Sequence, residues 1–186
     1  MLAPVEISAR HFHSTEEDYR ILFGDEDPKE IKSLSQKGQF ASDKVVILQS
    51  ANSEKHLEVR LLGPFRDKTQ VEISQTDAYA LKINPPVEEF NSGNGALVTL
   101  TGPNGKITKN LTIIAQRHLH IDPQTAEKLN IKDKQFISVK IGNKRSLILE
   151  KVLVRVNPKF VLSVHLDTDE GNAAGLIGES SGNLII

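Results

Sequence analysis

Two four-residue blocks, Arg10-His11-Phe12-His13 and Arg117-His118-Leu119-His120, constrain this chain more than any other feature. Each follows a run with β character, Val5-Glu6-Ile7-Ser8 before the first and Leu111-Thr112-Ile113-Ile114 before the second. On a strand, residues i and i+2 share a face, so each block aims two imidazoles at one point. A helix would turn them about 200° apart. Six histidines in 186 residues leave the chance expectation of His-x-His pairs well below one. Two copies, each led by arginine, point to an internal duplication.

The repeat extends beyond the histidines. Ser14-Thr15-Glu16-Glu17 reads as a capping box, with Glu17 as its N3 partner, opening a helix that buries Tyr19, Leu22 and Phe23 and stops at Gly24. Asp122-Pro123 reads as N-cap and first residue of a helix carrying Ala126 and Leu129. A second pair of blocks stands at a fixed offset of 93 residues: Glu72 matches His165, Ser74 matches Asp167, and Asp77 matches Glu170. In both, an alternating strand leads into a capped turn or helix. Short strands are expected over 44–48, 57–62, 96–101, 136–141, 146–149 and 152–156, with hairpin turns at Pro103-Asn104-Gly105 and Gly142-Asn143. Residues 83–95, with Pro85-Pro86 and Asn91-Ser92-Gly93-Asn94-Gly95, read as a loop without core character. Many short strands with few short helices favour two small β-barrels or sandwiches.

Composition narrows the function. The chain has no cysteine, which excludes disulfides, thiolate nucleophiles and cysteine zinc sites. It has no tryptophan and 5% aromatic residues, and its 23 basic residues balance 24 acidic ones. Neither a base-stacking platform nor a polyanion-binding field follows, so nucleic acid is not an expected partner. No apolar run approaches the ~18 residues of a membrane span, and no signal pattern opens the chain, so a cytoplasmic protein is expected. No GxGxxG or GxxxxGK loop is present to cradle a nucleotide phosphate.

Each half offers a His-x-His pair and one further donor: Glu72 for His11 and His13, His165 for His118 and His120. Two histidines with a glutamate, and three histidines, are both ligand sets of catalytic zinc, which keeps a position open for substrate. The plainer reading is of hydrogen-bonded, partly buried histidines, and it weakens once the set is duplicated with matched third donors. Glu17, four residues after His13, imitates a cupin pattern, but Val5 stands where that pattern wants glycine. His56 has no counterpart and is assigned to the surface.

These blocks, with Leu34-Ser35-Gln36-Lys37-Gly38-Gln39-Phe40-Ala41, Gly63-Pro64-Phe65-Arg66-Asp67-Lys68-Thr69-Gln70-Val71-Glu72-Ile73-Ser74 and His165-Leu166-Asp167-Thr168-Asp169-Glu170-Gly171-Asn172-Ala173-Ala174-Gly175, closely resemble the phosphate propanoyltransferase family. These are propanediol-utilisation type phosphotransacylases, and the resemblance runs from about Val5 to the C-terminus. It implies a mainly β chain of two tandem small antiparallel β-barrels, related by duplication and capped by short α-helices. The domains would be 10–116 and 117–186 with 1–9, whereas composition alone would divide the chain in the loop at 84–95. It further implies two Zn²⁺ per chain at the barrel junction and reversible transfer of a short acyl group, propanoyl or acetyl, between coenzyme A and inorganic phosphate. Coenzyme A would be held by Ile7, Ser8, Ala9, Lys32, Arg60 and Asn172. A homodimer is implied, functionally coupled to a kinase that uses the acyl phosphate. No microcompartment-targeting extension is seen ahead of Arg10, so a free cytoplasmic enzyme is expected.

Arg66, six residues before Glu72, is the expected catalytic phosphate holder, because a guanidinium fork matches two phosphate oxygens. The donor charges differ between the halves. A carboxylate at Glu72 suits the coenzyme sulfur on that side, and three neutral imidazoles suit phosphate on the other. A dizinc hydrolase would use the same ligands with metal-bound hydroxide, and a non-catalytic metal-binding module would show no turnover. Phosphate-dependent release of coenzyme A separates the three.

Overall fold

The computed structural model describes residues 1–89 and 94–186. In chain order the elements are β1 (Leu2–Ser8), β2 (His11–His13), α1 (Glu16–Phe23), β3 (Glu30–Ser33), β4 (Phe40–Gln49), β5 (His56–Gly63), β6 (Gln70–Ile73), α2 (Gln75–Leu81) and β7 (Val87–Glu88). They continue as β8 (Ala96–Thr101), β9 (Lys106–Ala115), β10 (His118–Ile121), α3 (Pro123–Lys128), β11 (Phe136–Ile141), β12 (Leu147–Val156), β13 (Ser163–Asp167), α4 (Thr168–Ala174) and β14 (Ser180–Ile185). The chain is mainly β, as expected. It divides into two compact units, Arg10–Ala115 and Met1–Ala9 with Gln116–Ile186. Among the described residues no helix is long and apolar enough to cross a membrane.

In the unit Arg10–Ala115, pairing closes a ring in the order β4, β5, β2, β6, β9, β8 and back to β4. Strands β3 and β7 attach outside it, on β4 and β9. In the other unit the ring runs β11, β12, β10, β13, β1, β14 and back to β11. The two rings correspond strand for strand. Each has four antiparallel pairings and two parallel ones, β2 with β5 and β6 with β9 in one, β10 with β12 and β13 with β1 in the other. The parallel pairs are where the structure departs from the all-antiparallel expectation. A hairpin cannot link parallel neighbours, so helices and longer connections intervene.

Each unit fills its barrel with its own apolar core. Phe12, Tyr19, Leu22, Leu48, Leu61 and Leu100 centre one cluster, and Leu119, Ile121, Val139, Ile141 and Leu166 the other. Helix α1 buries Tyr19, Leu22 and Phe23, the i, i+3, i+4 stripe that the sequence announces, and Gly24 ends it at φ 74°. Its cap lies one residue later than expected. Thr15 is the N-cap and accepts the Asp18 N–H, so Asp18 rather than Glu17 stands at N3. Helix α3 starts with Asp122 as N-cap and Pro123 at its first turn, as read from the sequence.

Two other expectations are corrected. The segments 146–149 and 152–156 form the single strand β12, because Lys151 takes the left-handed region (φ 54°) and a bulge absorbs the break. Residues 83–95 are not wholly outside the core: Ile83 packs on the first cluster, and Val87–Glu88 pair with β9. Residues 90–93, which include Asn91-Ser92-Gly93 of the expected turn, lie outside the described residues.

Phe12 and Leu119 are both 0% exposed and sit at equivalent ring positions. Phe12→Ala should cost about 3–5 kcal/mol and Leu119→Ala about 2–5 kcal/mol. Guanidinium unfolding of the full chain measures both, and a loss under about 1 kcal/mol in either would contradict this packing.

Candidate metal centre

Strand β2 pairs antiparallel with β6 in the register His11↔Glu72, Phe12↔Val71 and His13↔Gln70. Alternation sends Phe12 into the core and the two imidazoles to the opposite face. There His11 Nε2 lies 3.6 Å from Glu72 Oε2, and the two imidazole centroids are 5.1 Å apart. One donor atom from each of His11, His13 and Glu72 falls within 4.8 Å of the others. Strand β5 fixes the tautomer of the second ring, since His13 Nδ1–H donates to the Leu62 carbonyl at 3.0 Å and turns Nε2 to the cluster. Burial, reinforced by the charges of His11 and Arg66, holds the His13 pKa well below its ordinary value.

The other unit repeats this with β10 on β13, in the register His118↔His165, Leu119↔Val164 and His120↔Ser163. Leu119 takes the core position. His118 and His165 stack with centroids 5.0 Å apart, and His120 lies 4.6 and 4.5 Å from them. Their donor atoms again gather within 4.8 Å. His118 Nδ1–H donates to the Gln116 carbonyl at 2.8 Å, and Ser163 Oγ stands 2.8 Å from His165 Nε2. Burial pushes the His118 pKa down to about 3, and the charges of His165, Arg155 and Lys134 push the same way.

His13 and His118, each with a lowered pKa and its Nδ1–H committed to a backbone carbonyl, have the form in which histidine ligates zinc. Three protein donors per cluster among the described residues match an open, catalytic coordination set. Both triads therefore fit a divalent metal.

Sequence reasoning missed three features here. Arg155 is in register with His120, and its guanidinium lies 5.7 Å over the ring of Phe160, which stacks on His120 at 3.9 Å. Residues 155 and 160 follow His120 by 35 and 40 positions, so only the register reveals the group. The arginine that opens each block is also engaged. Arg10 binds Asp77 at 2.9 and 2.7 Å, and Arg117 binds Glu170 at 2.6 Å. Asp77 and Glu170 are the N3 carboxylates of the capping boxes on Ser74 and Asp167. Their matched offset of 93 residues was the available signal. Burial raises the Glu170 pKa above its usual range while Arg117 pulls it down.

The other expected residues fall as follows. Arg66 is half-buried between β5 and β6, its N–H donates to the Ser14 carbonyl at 2.9 Å, and its charge reaches His13. Arg60 lies in register with His11, and its Nη1 donates to the Ser42 carbonyl at 2.7 Å. Lys32 is exposed on β3. Ile7 and Ser8 run beside β13, paired with Leu166 and Asp167, and Ala9 follows them. Ile7 packs on Gly171, where a Cβ would meet its Cδ1 at 2.5 Å, and the next residue, Asn172, is exposed. Glu17 is exposed and outside the first triad, so the cupin-like set does not assemble, and His56 is exposed.

The depressed His118 pKa sets a sign. The unfolded chain protonates this residue near 6.5 and the native chain only near 3, so the unfolded state binds more protons between them. Stability of the metal-stripped protein should fall as pH is lowered through that window, by about 1.4 kcal/mol per unit for this residue alone. His118→Gln removes the contribution, so the unfolding free energy of the parent should decline relative to the variant between about pH 7 and pH 5. A pH-independent difference would mean that His118 is not held neutral.

A family model described as phosphate propanoyltransferase matches residues 4–177. A protein named phosphate propanoyltransferase from Alkaliphilus metalliredigens is 45% identical over 188 residues, covering 100% of this chain and 88% of the relative. The protein of the same name from Thermotoga maritima is 40% identical over 185 residues, covering 97% and 86%. That from Citrobacter freundii is 43% identical over 175 residues, covering 92% and 83%. With a matched model over nearly the whole length and two histidine-bearing barrels, the chain belongs to the phosphate propanoyltransferase family.

Proposed function

We propose that this chain is a phosphate acyltransferase that moves a short acyl group, propanoyl or acetyl, reversibly between coenzyme A and inorganic phosphate. In this reading His11, His13 and Glu72 hold one zinc ion and His118, His120 and His165 another. The observation that carries it is the pair of three-donor clusters at equivalent positions of two barrels, in a member of this family. Bound zinc supplies Lewis-acid stabilisation of a developing oxyanion and of a leaving thiolate.

The residues do the rest. Thioester and phosphate react directly, with no cysteine to form a covalent intermediate. Arg66 presents a guanidinium fork to two phosphate oxygens, and the proximity of its charge to His13 supports that role. Glu72 carries the one formal negative charge among the six donors and tempers the charge of its own centre. Arg155 and Lys134 add positive charge beside the three imidazoles, an environment that draws anions. Ile7, Ser8, Ala9, Lys32, Arg60 and Asn172 are assigned to coenzyme A, with the cations Lys32 and Arg60 suited to its phosphates. A homodimer and coupling to an acyl-phosphate-using kinase follow from the family resemblance, and a cytoplasmic location from the sequence reading.

Release of coenzyme A from propanoyl-CoA by zinc-loaded protein, with and without phosphate, tests the reading. Dependence on phosphate with formation of propanoyl phosphate is expected. Phosphate-independent release would make the chain a thioester hydrolase, and no turnover would make it a metal-binding module. Arg66→Ala should keep both metals and lower turnover about a hundredfold or more, since it removes substrate positioning rather than a ligand. Activity within a few-fold of the parent would reduce Arg66 to a turn residue. Glu72→Gln should weaken one metal and raise the KM for acyl-CoA more than that for phosphate. Equal shifts in both would remove the assigned role of that charge.

A further inference from the structure

The arginine that opens each His-x-His block has no part in the chemistry above, yet both copies make the same connection. The β2/β6 and β10/β13 ladders have three registered pairs each, and the donor pair is the terminal one, His11↔Glu72 and His118↔His165. Short ladders open from their ends. In both units a single carboxylate ties off the end that carries the donors. Asp77 accepts the Ser74 N–H at 3.4 Å, two residues after Glu72, and takes Arg10 Nε and Nη2 at 2.9 and 2.7 Å, one residue before His11. Glu170 accepts the Asp167 N–H at 3.0 Å, two residues after His165, and binds Arg117 Nε at 2.6 Å, one residue before His118. The side chains of Asp77 and Glu170 are 7% and 16% exposed, which limits solvent screening of both pairs. The bridge persists although one copy uses aspartate and the other glutamate.

We infer that Arg10–Asp77 and Arg117–Glu170 are positioning pairs, each setting the metal affinity of its own triad by holding first and third donors in register. The inference rests on the zinc reading above. The residues touch no ligand atom directly; they act through the backbone on both sides of the donor pair, as hydrogen-bonded neighbours of metal ligands do.

Zinc affinity measured on the full chain by competition with a chromophoric chelator tests this without reference to turnover. The parent should hold two zinc ions. Arg117→Gln and Glu170→Gln should weaken one of them about 10–100-fold and leave the other unchanged. Arg10→Gln and Asp77→Asn should do the reverse. Parent and variants carrying His118→Ala and His120→Ala isolate the first triad and identify which ion moved. Arg117→Lys, which keeps the charge but not the fork, should recover part of the loss and serves if the neutral variants fold poorly. Unchanged affinities in all variants, or equal weakening of both ions, would overturn the inference and leave the pairs as general braces. A parent that binds no zinc would instead overturn the zinc reading itself.

Discussion

In each barrel a strand of three or four residues carries one large apolar side chain between two imidazoles, and strand alternation forces them to opposite faces. Phe12 and Leu119 are buried completely, each contributing on the order of 2–3 kcal/mol of apolar burial. The donors on the other face cannot rotate away without withdrawing that side chain from the core. The site is thus oriented by packing before any ligand arrives. The cost of burying polar rings is offset by backbone carbonyls of Leu62 and Gln116, which also choose the tautomer.

The strand-for-strand correspondence of the rings explains how one geometry supports two electrostatic settings. The third donor occupies the same register position in both, directly across from the first histidine, yet it is Glu72 in one unit and His165 in the other. Around it the charges also differ, with Arg66 near His13 and with Arg155 and Lys134 near His118. Duplication conserved the frame, and substitution at one position per unit changed the charge of the donor set.

Much of this was legible from the chain alone because the signals are local. The two blocks, the third donors at an offset of 93 and the caps at Asp122 and Gly24 are short-range patterns with direct geometric meaning. What stayed hidden depends on pairing. The parallel partners of β2 and β10 bring Arg60 and Arg155 beside histidines, and no periodicity encodes that. The bulge at Lys151 hides one strand as two, since the left-handed residue breaks the alternation on which strand reading relies. The helix cap slipped from Ser14 to Thr15 because adjacent hydroxyls compete for one role and tertiary packing decides between them.

The strand β1 has a temporal consequence. It lies between β13 and β14, with Val5 opposite Val164, so both its partners are made after every strand of the ring that begins at Arg10. A ribosome emits β1 before any strand of the ring that begins at Arg10, and the strands that receive it only after that ring. Closing a contact across so long a stretch is entropically expensive and slow. The ring that holds His118, His120 and His165 therefore closes after its counterpart, and its completion depends on a nascent segment that must wait while the whole of the other ring is made.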